Sequence, residues 1–288
     1  MARRVAYLST TGLEEFFVYD ELTYEPLRAH DVEVEAIPWR RRDVDWSVYD
    51  AVVVRSTWDY QQDVDAFLDV LQTIDARTVL LNPLAGQRWN VDKGYMIELE
   101  ECGVPIVQTR VVDGLTAAEV EDAYARFEAD EIVVKPTVSA NADDTFRLPR
   151  GVDPSEAVAV LAARRSLIQP FVRSVVDEGE FSVFAFDGKV SHAILKTPAA
   201  GDFRVQEEHG GSLASIVPDD ALREVSDRAF AALPDDLLYA RVDFVRVDGG
   251  FALMEAELIE PSLYFNLDPA SPARFAEALV RRLDRSSR

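Results

Sequence analysis

The stretch that decides the fold is Tyr239-Ala-Arg-Val-Asp-Phe-Val-Arg-Val247, then Asp248-Gly249-Gly250, then Phe251-Ala-Leu-Met-Glu-Ala-Glu-Leu-Ile259. It reads as two long strands joined by a tight turn. Alternate residues of a strand share a face, so Arg241 falls with Asp243, and Glu255 with Glu257. A three-residue loop at Asp248-Gly249-Gly250 places Asp243 opposite Glu255 and Arg241 opposite Glu257. A two-residue loop would put the pairs on opposite faces. Carboxylates gathered this way repel, each like-charged cross-strand pair costing roughly 0.2–1 kcal/mol. One arginine offsets part of that, and a divalent cation such as Mg²⁺, which takes oxygen ligands and substrate phosphates, would offset the rest. A solvated acidic face on an acidic protein fits the spacing equally well.

Working outward, Asp187-Gly188 joins the strands Glu180 to Phe186 and Lys189 to Leu195, a strong hairpin signal. Helices are expected at Asp219 to Leu233 and Pro272 to Leu283. The middle of the chain reads as strand Thr109 to Val112, helix Ala117 to Phe127, strand Glu131 to Pro136, helix Pro154 to Arg165 and strand Leu167 to Val172. The first hundred residues alternate: strand Arg4 to Ser9, helix Phe17 to Ala29, strands Val32 to Trp39 and Ala51 to Ser56, helix Val64 to Ile74, strand Val79 to Leu81. That βαβ rhythm predicts a parallel, doubly wound layer, whose ligands sit beyond the carboxyl ends of the strands. The whole chain is α/β, or α+β overall, in three sections: 1–104, 105–172 and 173–288.

The 288 residues carry a formal net charge of −22, spread along the chain. A field of that sign repels nucleic acid and anionic membranes. It fits a very soluble protein or an acidic proteome adapted to high salt, where self-repulsion is screened; the scarcity of lysine favours the second. No apolar run is long enough to span a membrane, and Val5 to Leu8 is too short for a signal peptide. Cys102 is the only cysteine, so an intrachain disulfide is excluded and the cytoplasm is the expected compartment.

Lysine occurs only at positions 93, 135, 189 and 196. A chain that avoids lysine is expected to keep it where a compact ammonium is needed. Lys189 lies in a turn. Lys135 ends an apolar strand against Pro136, where it is either a phosphate ligand or an exposed edge residue. Lys93 opens a helical stretch, Asp92 to Glu101, and Lys196 ends a strand. Ile168-Gln169-Pro170-Phe171-Val172 joins two sections and is either a core strand or a seat for a flat heterocycle. Beyond the third parallel strand, Arg55, Ser56, Thr57, Trp58 and Asp59 offer a cation, an anion and an aromatic wall to a small substrate; packing of Trp58 and Tyr60 between domains competes with that reading.

Taken together, these residues resemble the ATP-grasp superfamily, nearer its glutathione-synthetase and RimK-like branch, with ring-closing ligases of the cycloserine type as the nearest likeness. The resemblance is carried by Trp89-Asn-Val-Asp-Lys93, Val133-Val-Lys-Pro136, Ile168-Gln-Pro-Phe171, Phe203-Arg-Val-Gln206 with Gly210-Gly211, and Arg241-Val-Asp243 with Glu255-Ala-Glu-Leu-Ile-Glu-Pro261. It implies an ATP-grasp fold, an N-terminal layer followed by two α+β subdomains that enclose ATP. Lys93, Lys135 and Lys196 would hold phosphates, with Ser139 contributing from the lid. Gln169, Pro170, Phe171 and Val172 would flank adenine, and Asp177 or Glu178 would take the ribose. Arg204 would face the γ-phosphate, and Arg241 would stabilise the tetrahedral intermediate. Asp243, Glu255 and Glu257 would bind two Mg²⁺, with Mn²⁺ an alternative. The lid, Thr137 to Thr145, lacks the family's glycines, and Asp143 and Asp144 are expected to bring negative charge near the phosphates. Glu257 stands where many relatives carry asparagine.

The expected activity is ATP-dependent formation of a C–N bond. A small carboxylate becomes an acyl phosphate, and an amine of the same or a second molecule displaces phosphate. The alternatives are a dipeptide or glutathione-like ligase and a nucleotide-binding module without catalysis. The absence of G-x-G-x-x-G after the first strand sets a dinucleotide-dependent dehydrogenase aside. A homo-oligomer is left open.

Overall fold

The computed structural model describes residues 2–13, 16–205 and 207–286. Three sheets follow one another along the chain. The first joins β1 (Arg3–Ser9), β2 (Val32–Pro38), β3 (Ala51–Ser56) and β4 (Val79–Leu81) in the order β2-β1-β3-β4, all parallel. Helix α1 (Tyr24–Arg28) covers one face and α2 (Val64–Asp75) the other. Asp63 caps α2 by accepting the Ala66 N–H, which satisfies one of the donors a helix start leaves free. The helix expected from Phe17 is shorter, a 3₁₀ turn at Asp20–Thr23 leading into α1. Pro26 explains this, because proline fits only the first turn of an α-helix.

Helices α3 (Leu84–Val91) and α4 (Tyr95–Glu101) lead to the second sheet. α4 is the expected helical stretch Asp92 to Glu101 shortened at its start, α3 was not expected, and the break between them is Asp92-Lys93-Gly94. The second sheet contains β5 (Arg110–Asp113), β6 (Glu131–Pro136), β7 (Phe146–Pro149) and β8 (Arg165–Pro170), antiparallel, in the order β5-β8-β6-β7. Helices α5 (Ala117–Arg126) and α6 (Ser155–Leu161) pack on it. α6 ends before the expected Arg165 because that residue already opens β8, which pairs on both sides.

After the short α7 (Ser174–Asp177), the third sheet comprises β9 (Glu180–Phe186), β10 (Lys189–Thr197), β11 (Ser212–Ile216), β12 (Tyr239–Val247) and β13 (Gly250–Glu257). Its order is β11-β10-β9-β12-β13. Helices α8 (Asp220–Ala232) and α9 (Ser271–Ser286) complete the fold. Phe184, Phe186 and Tyr239 share a core with Val5, Tyr7 and Val53 of the first sheet and with Phe275 and Leu279 of α9. No helix among the described residues is long and apolar enough to cross a membrane.

The outer edge of β13 is met by a short backbone bridge at Leu253, where Leu253 N–H donates to Pro105 O and Val107 N–H donates to Leu253 O, and beyond it by side chains. Asn90 Nδ2 donates to Ala256 O, and its Oδ1 accepts the Leu258 N–H. Tyr95 Oη donates to Ala256 O, and Asn82 Nδ2 donates to Leu258 O. Buried backbone polar groups need such partners, and an open sheet edge is otherwise a template for association. Asn90 and Tyr95 thus fix the strand that carries Glu255 and Glu257.

Candidate active site

The third sheet, the second sheet and the ends of the first line a single cleft that opens to solvent. Three of the four lysines line it. Lys93, at the break between α3 and α4, donates its ammonium to Ser139 O and pairs with Glu255 at 3.2 Å. Its own N–H donates to Thr137 O at 2.8 Å, tying it to the base of the lid. Lys135 projects from β6, and burial pulls its ammonium below the usual lysine range. Lys196, on β10, pairs with Glu180 and with Asp243. Burial works against its charge, but Asp243 and Glu180 outweigh that and raise its pKa. Lys189, expected in a turn, opens β10 just after Asp187-Gly188 and is exposed.

Arg241 and Asp243 share a face of β12 and look across to Glu257 and Glu255 of β13. Each nitrogen of the Arg241 guanidinium makes one bond, three of its five N–H donors in all: Nε donates to Asp243 at 3.0 Å, Nη2 to Glu257, and Nη1 to Ser262 O at 3.2 Å. Burial pushes the Asp243 carboxyl up, but Arg241 and Lys196 together hold it below the usual range. Burial acts on Glu255 in the same way and is outweighed by Lys93 and Lys135. Glu257 is pushed up to about 7 by burial, Arg241 opposing and the Glu255 and Asp243 charges adding to it. Glu260 is pushed up to about 8 by burial and by Glu257. Among the described residues no three acidic or histidine side chains already converge on one point; the carboxylates rest instead against the cations.

One end of the cleft is apolar. Val107, Val175 and Val205 cluster with Ala252, Met254 and Val172. Gln169 donates to Thr109 Oγ1 at 2.8 Å. The Phe171 ring carries the Arg147 guanidinium at 3.8 Å, and its N–H donates to Glu131 O. Gln169, Pro170, Phe171 and Val172 all line the cleft. Asp177 and Glu178 are not among its lining residues: Asp177 pairs with Arg173 at 3.2 Å and Glu178 with Arg246 at 2.9 Å. Glu180 lines it in their place. The sequence held a signal for Glu180, a lone acid opening the apolar run Glu180–Phe186, every residue of which is buried.

The lid lies over the lysines. Ser139 to Ala142 line the cleft. Asp143 turns to Gln61 and Asp144 to Arg164, so neither joins the lining, contrary to the expectation for these acids. Asn141, Ala142 and Asp144 take left-handed backbone angles without glycine. Arg204 lines the cleft while paired with Asp202 at 2.7 Å. Gln206 lies outside the described residues.

Of the five residues expected to meet substrate, only Trp58 lines the cleft. Arg55 is buried, donates to Asp20 and to Pro261 O, and lies over the Tyr239 ring. Asp59 accepts from Trp39 Nε1 and Arg40 Nε. Ser56 and Thr57 are buried at the end of β3. Phe16, Tyr60 and Glu260 stand at that end of the cleft instead.

Residues 5–82 match the family described as the D-cycloserine synthetase DcsG N-terminal domain. The chain is 36% identical over 275 residues to the cycloserine biosynthesis protein DcsG of Streptomyces lavendulae, covering 90% of this chain and 92% of that protein. The crystal structure of D-cycloserine synthetase DcsG superposes with a TM-score of 0.87 at 33% identity, over 97% of this chain and 99% of the other. The ATP-grasp ligase PsnB shares the fold alone, with a TM-score of 0.68 at 17% identity over 98% of this chain and 99% of the other. On the strength of this identity over nearly the whole length of both chains, the protein belongs to the DcsG family of ATP-grasp carbon–nitrogen ligases.

Proposed function

We propose that the protein uses ATP and Mg²⁺ to activate the carboxylate of a small amino-acid-like substrate as an acyl phosphate, which a nitrogen of the same molecule then attacks to close a ring. The observation that carries this reading is the gathering of Lys93, Lys135 and Lys196 with Arg241 in one cleft of a chain that holds only four lysines. Four cations beside an apolar pocket suit a polyphosphate with a flat heterocycle. Adenine would lie between Met254 and the Val107–Val205 group, beside the Gln169–Val172 backbone, with Glu180 within the same pocket. The phosphates would extend toward the lysines beneath Ser139.

Glu255 and Glu257, with Asp243 behind them, would hold Mg²⁺, which supplies charge neutralisation between the phosphate groups. Phosphoryl transfer needs positioning and fixed charge rather than covalent catalysis by the protein. The terminal phosphoryl group passes to a carboxylate oxygen and ADP leaves. The nitrogen then adds to the acyl carbon, gives up its proton to solvent, and phosphate departs as the C–N bond is completed. Arg241, with Arg204 at the lid side, is placed to balance the charge that develops on the acyl oxygen. The lid residues Ser139 to Ala142 would keep water from the acyl phosphate.

The test is phosphate release from ATP and Mg²⁺ with O-ureido-serine offered alone, then with amino acids alone and in pairs. Release with the single ureido compound, with the ring compound as product, is the expected result. Release that needs a pair would indicate a dipeptide or glutathione-like ligase instead. Silence across the panel, with ATP still binding, would indicate a nucleotide-binding module.

A further inference from the structure

The loop after β13 is held along its whole length. Four consecutive carbonyls are each engaged by a buried or half-buried side chain, from β3 and the loop after it, from β12 and from β10. Trp58 Nε1 donates to Glu260 O at 2.9 Å, Arg55 Nη2 to Pro261 O at 3.2 Å, Arg241 Nη1 to Ser262 O at 3.2 Å, and His192 Nε2 lies 3.0 Å from Leu263 O. The loop ends at Tyr264, whose φ of +42° lies in the left-handed region that a tyrosine adopts only when its surroundings impose it. A backbone fixed so fully presents its side chains to the cleft in one geometry.

The side chain so presented is Glu260. It lines the cleft and, unlike Asp243, Glu255 and Glu257, it has no hydrogen bond or ion pair to any described residue. Aromatic rings stand beside it. Trp58 is anchored to the Glu260 carbonyl, and the Phe16 ring lies 5.1 Å from Trp58, tilted by 49°. A buried acid without a counterion, lining the cleft together with two aromatic rings, ionises against an incoming cation and so is a receptor for an ammonium group.

We propose that Glu260, with Trp58 and Phe16, binds the α-ammonium group of the substrate and thereby selects amino-bearing carboxylates. This rests on the ligase reading above. The substrate is held at both ends: its ammonium at Glu260 and its carboxylate toward Arg241, which the same loop ties down through Ser262. Loop and cleft then fix the distance from ammonium to reacting carboxyl, so that an α-amino acid fits and its des-amino counterpart loses one anchor.

The experiment compares wild type with Glu260→Gln and Trp58→Leu, using O-ureido-serine and an analogue with hydrogen in place of its amine. The KM for the amino compound should rise roughly 10- to 100-fold in Glu260→Gln. The KM for the des-amino analogue, the KM for ATP and the Mg²⁺ requirement should stay unchanged. Trp58→Leu should show the same selective loss, smaller in size. An equal loss on both compounds, a shifted Mg²⁺ requirement or an unchanged KM would each overturn the proposal. If wild type turns over neither compound, the ligase reading fails separately. Calorimetric binding of cycloserine, whose ring carries the same amine, then decides the subsite: weaker binding to Glu260→Gln supports it, and no difference between the two proteins overturns it.

Discussion

Asp243 faces Glu255 across β12 and β13 even though the turn between those strands is one residue shorter than that pairing requires. Val247 pairs with Gly250, so only Asp248 and Gly249 form the loop, with φ of +50° and +79°. Continued unbroken, that register would set Asp243 opposite Met254. The ladder shifts instead between Asp243 and Phe244, and Met254 is taken up as a bulge. The bulge puts Met254 on the cleft face together with Glu255 and Glu257, while Leu253 and Leu258 stay in the core. One strand thus serves the apolar end and the charged end of the same cleft.

The two sides of that bulge should separate kinetically. Met254→Ala should raise the KM for ATP roughly 5- to 30-fold, by loss of apolar contact, with kcat little changed. Glu255→Gln should lower kcat by at least about 100-fold with ATP binding retained. Steady-state phosphate release and calorimetric ATP binding check both; a kcat defect in Met254→Ala alone would contradict the division.

Lys135 is held against its preference, since burial lowers its pKa. Replacing it with methionine should abolish ATP turnover while leaving the melting temperature unchanged or higher. Thermal unfolding and phosphate release on the same sample decide this. A marked loss of stability would mean that the ammonium serves the fold.

Arg55 is placed for structure, buried against Asp20 at 2.8 Å. Arg55→Met should destabilise the protein by roughly 3–5 kcal/mol, because Asp20 is left as an unpaired buried charge, and Asp20→Leu in the same chain should restore part of it. Denaturant unfolding of the three variants provides the test. A stable Arg55→Met protein with a raised substrate KM would return Arg55 to the substrate site.

Burial holds His192 at about 4, below its ordinary 6.5, with the Leu263 carbonyl opposing the shift. The unfolded chain therefore binds the extra proton first. The contribution is fully present above about pH 6.5 and is lost as pH falls toward 4, to a total of roughly 3 kcal/mol. The stability difference between wild type and His192→Gln should shrink by that amount between pH 7 and pH 4; a constant difference would contradict it.

With a net charge of −22, self-repulsion should be screened by salt. The melting temperature is expected to rise between dilute buffer and molar KCl, and an unchanged value would contradict this.

Sequence alone determined the parts that rest on period and composition. β4, β6, β9 and β12 carry the boundaries read from their apolar patterns, and the three lysines that meet in the cleft were singled out by their scarcity. The two carboxylates of β13 were legible as a pair, because strand alternation is a local rule. What only tertiary structure decided depends on partners far along the chain. Arg55 and Asp59 have the right chemistry for a substrate, but Asp20, Trp39 and Arg40 had already engaged them. β7 and β11 are short edge strands defined by the neighbours they pair with rather than by their own pattern. Glu260 stands out only once its loop is folded, since a missing counterion is a property of surroundings. The bulge at Met254 is the clearest case: a two-residue turn and a strand period both favoured another register, and the buried faces of β13 on either side of Met254 overrode them.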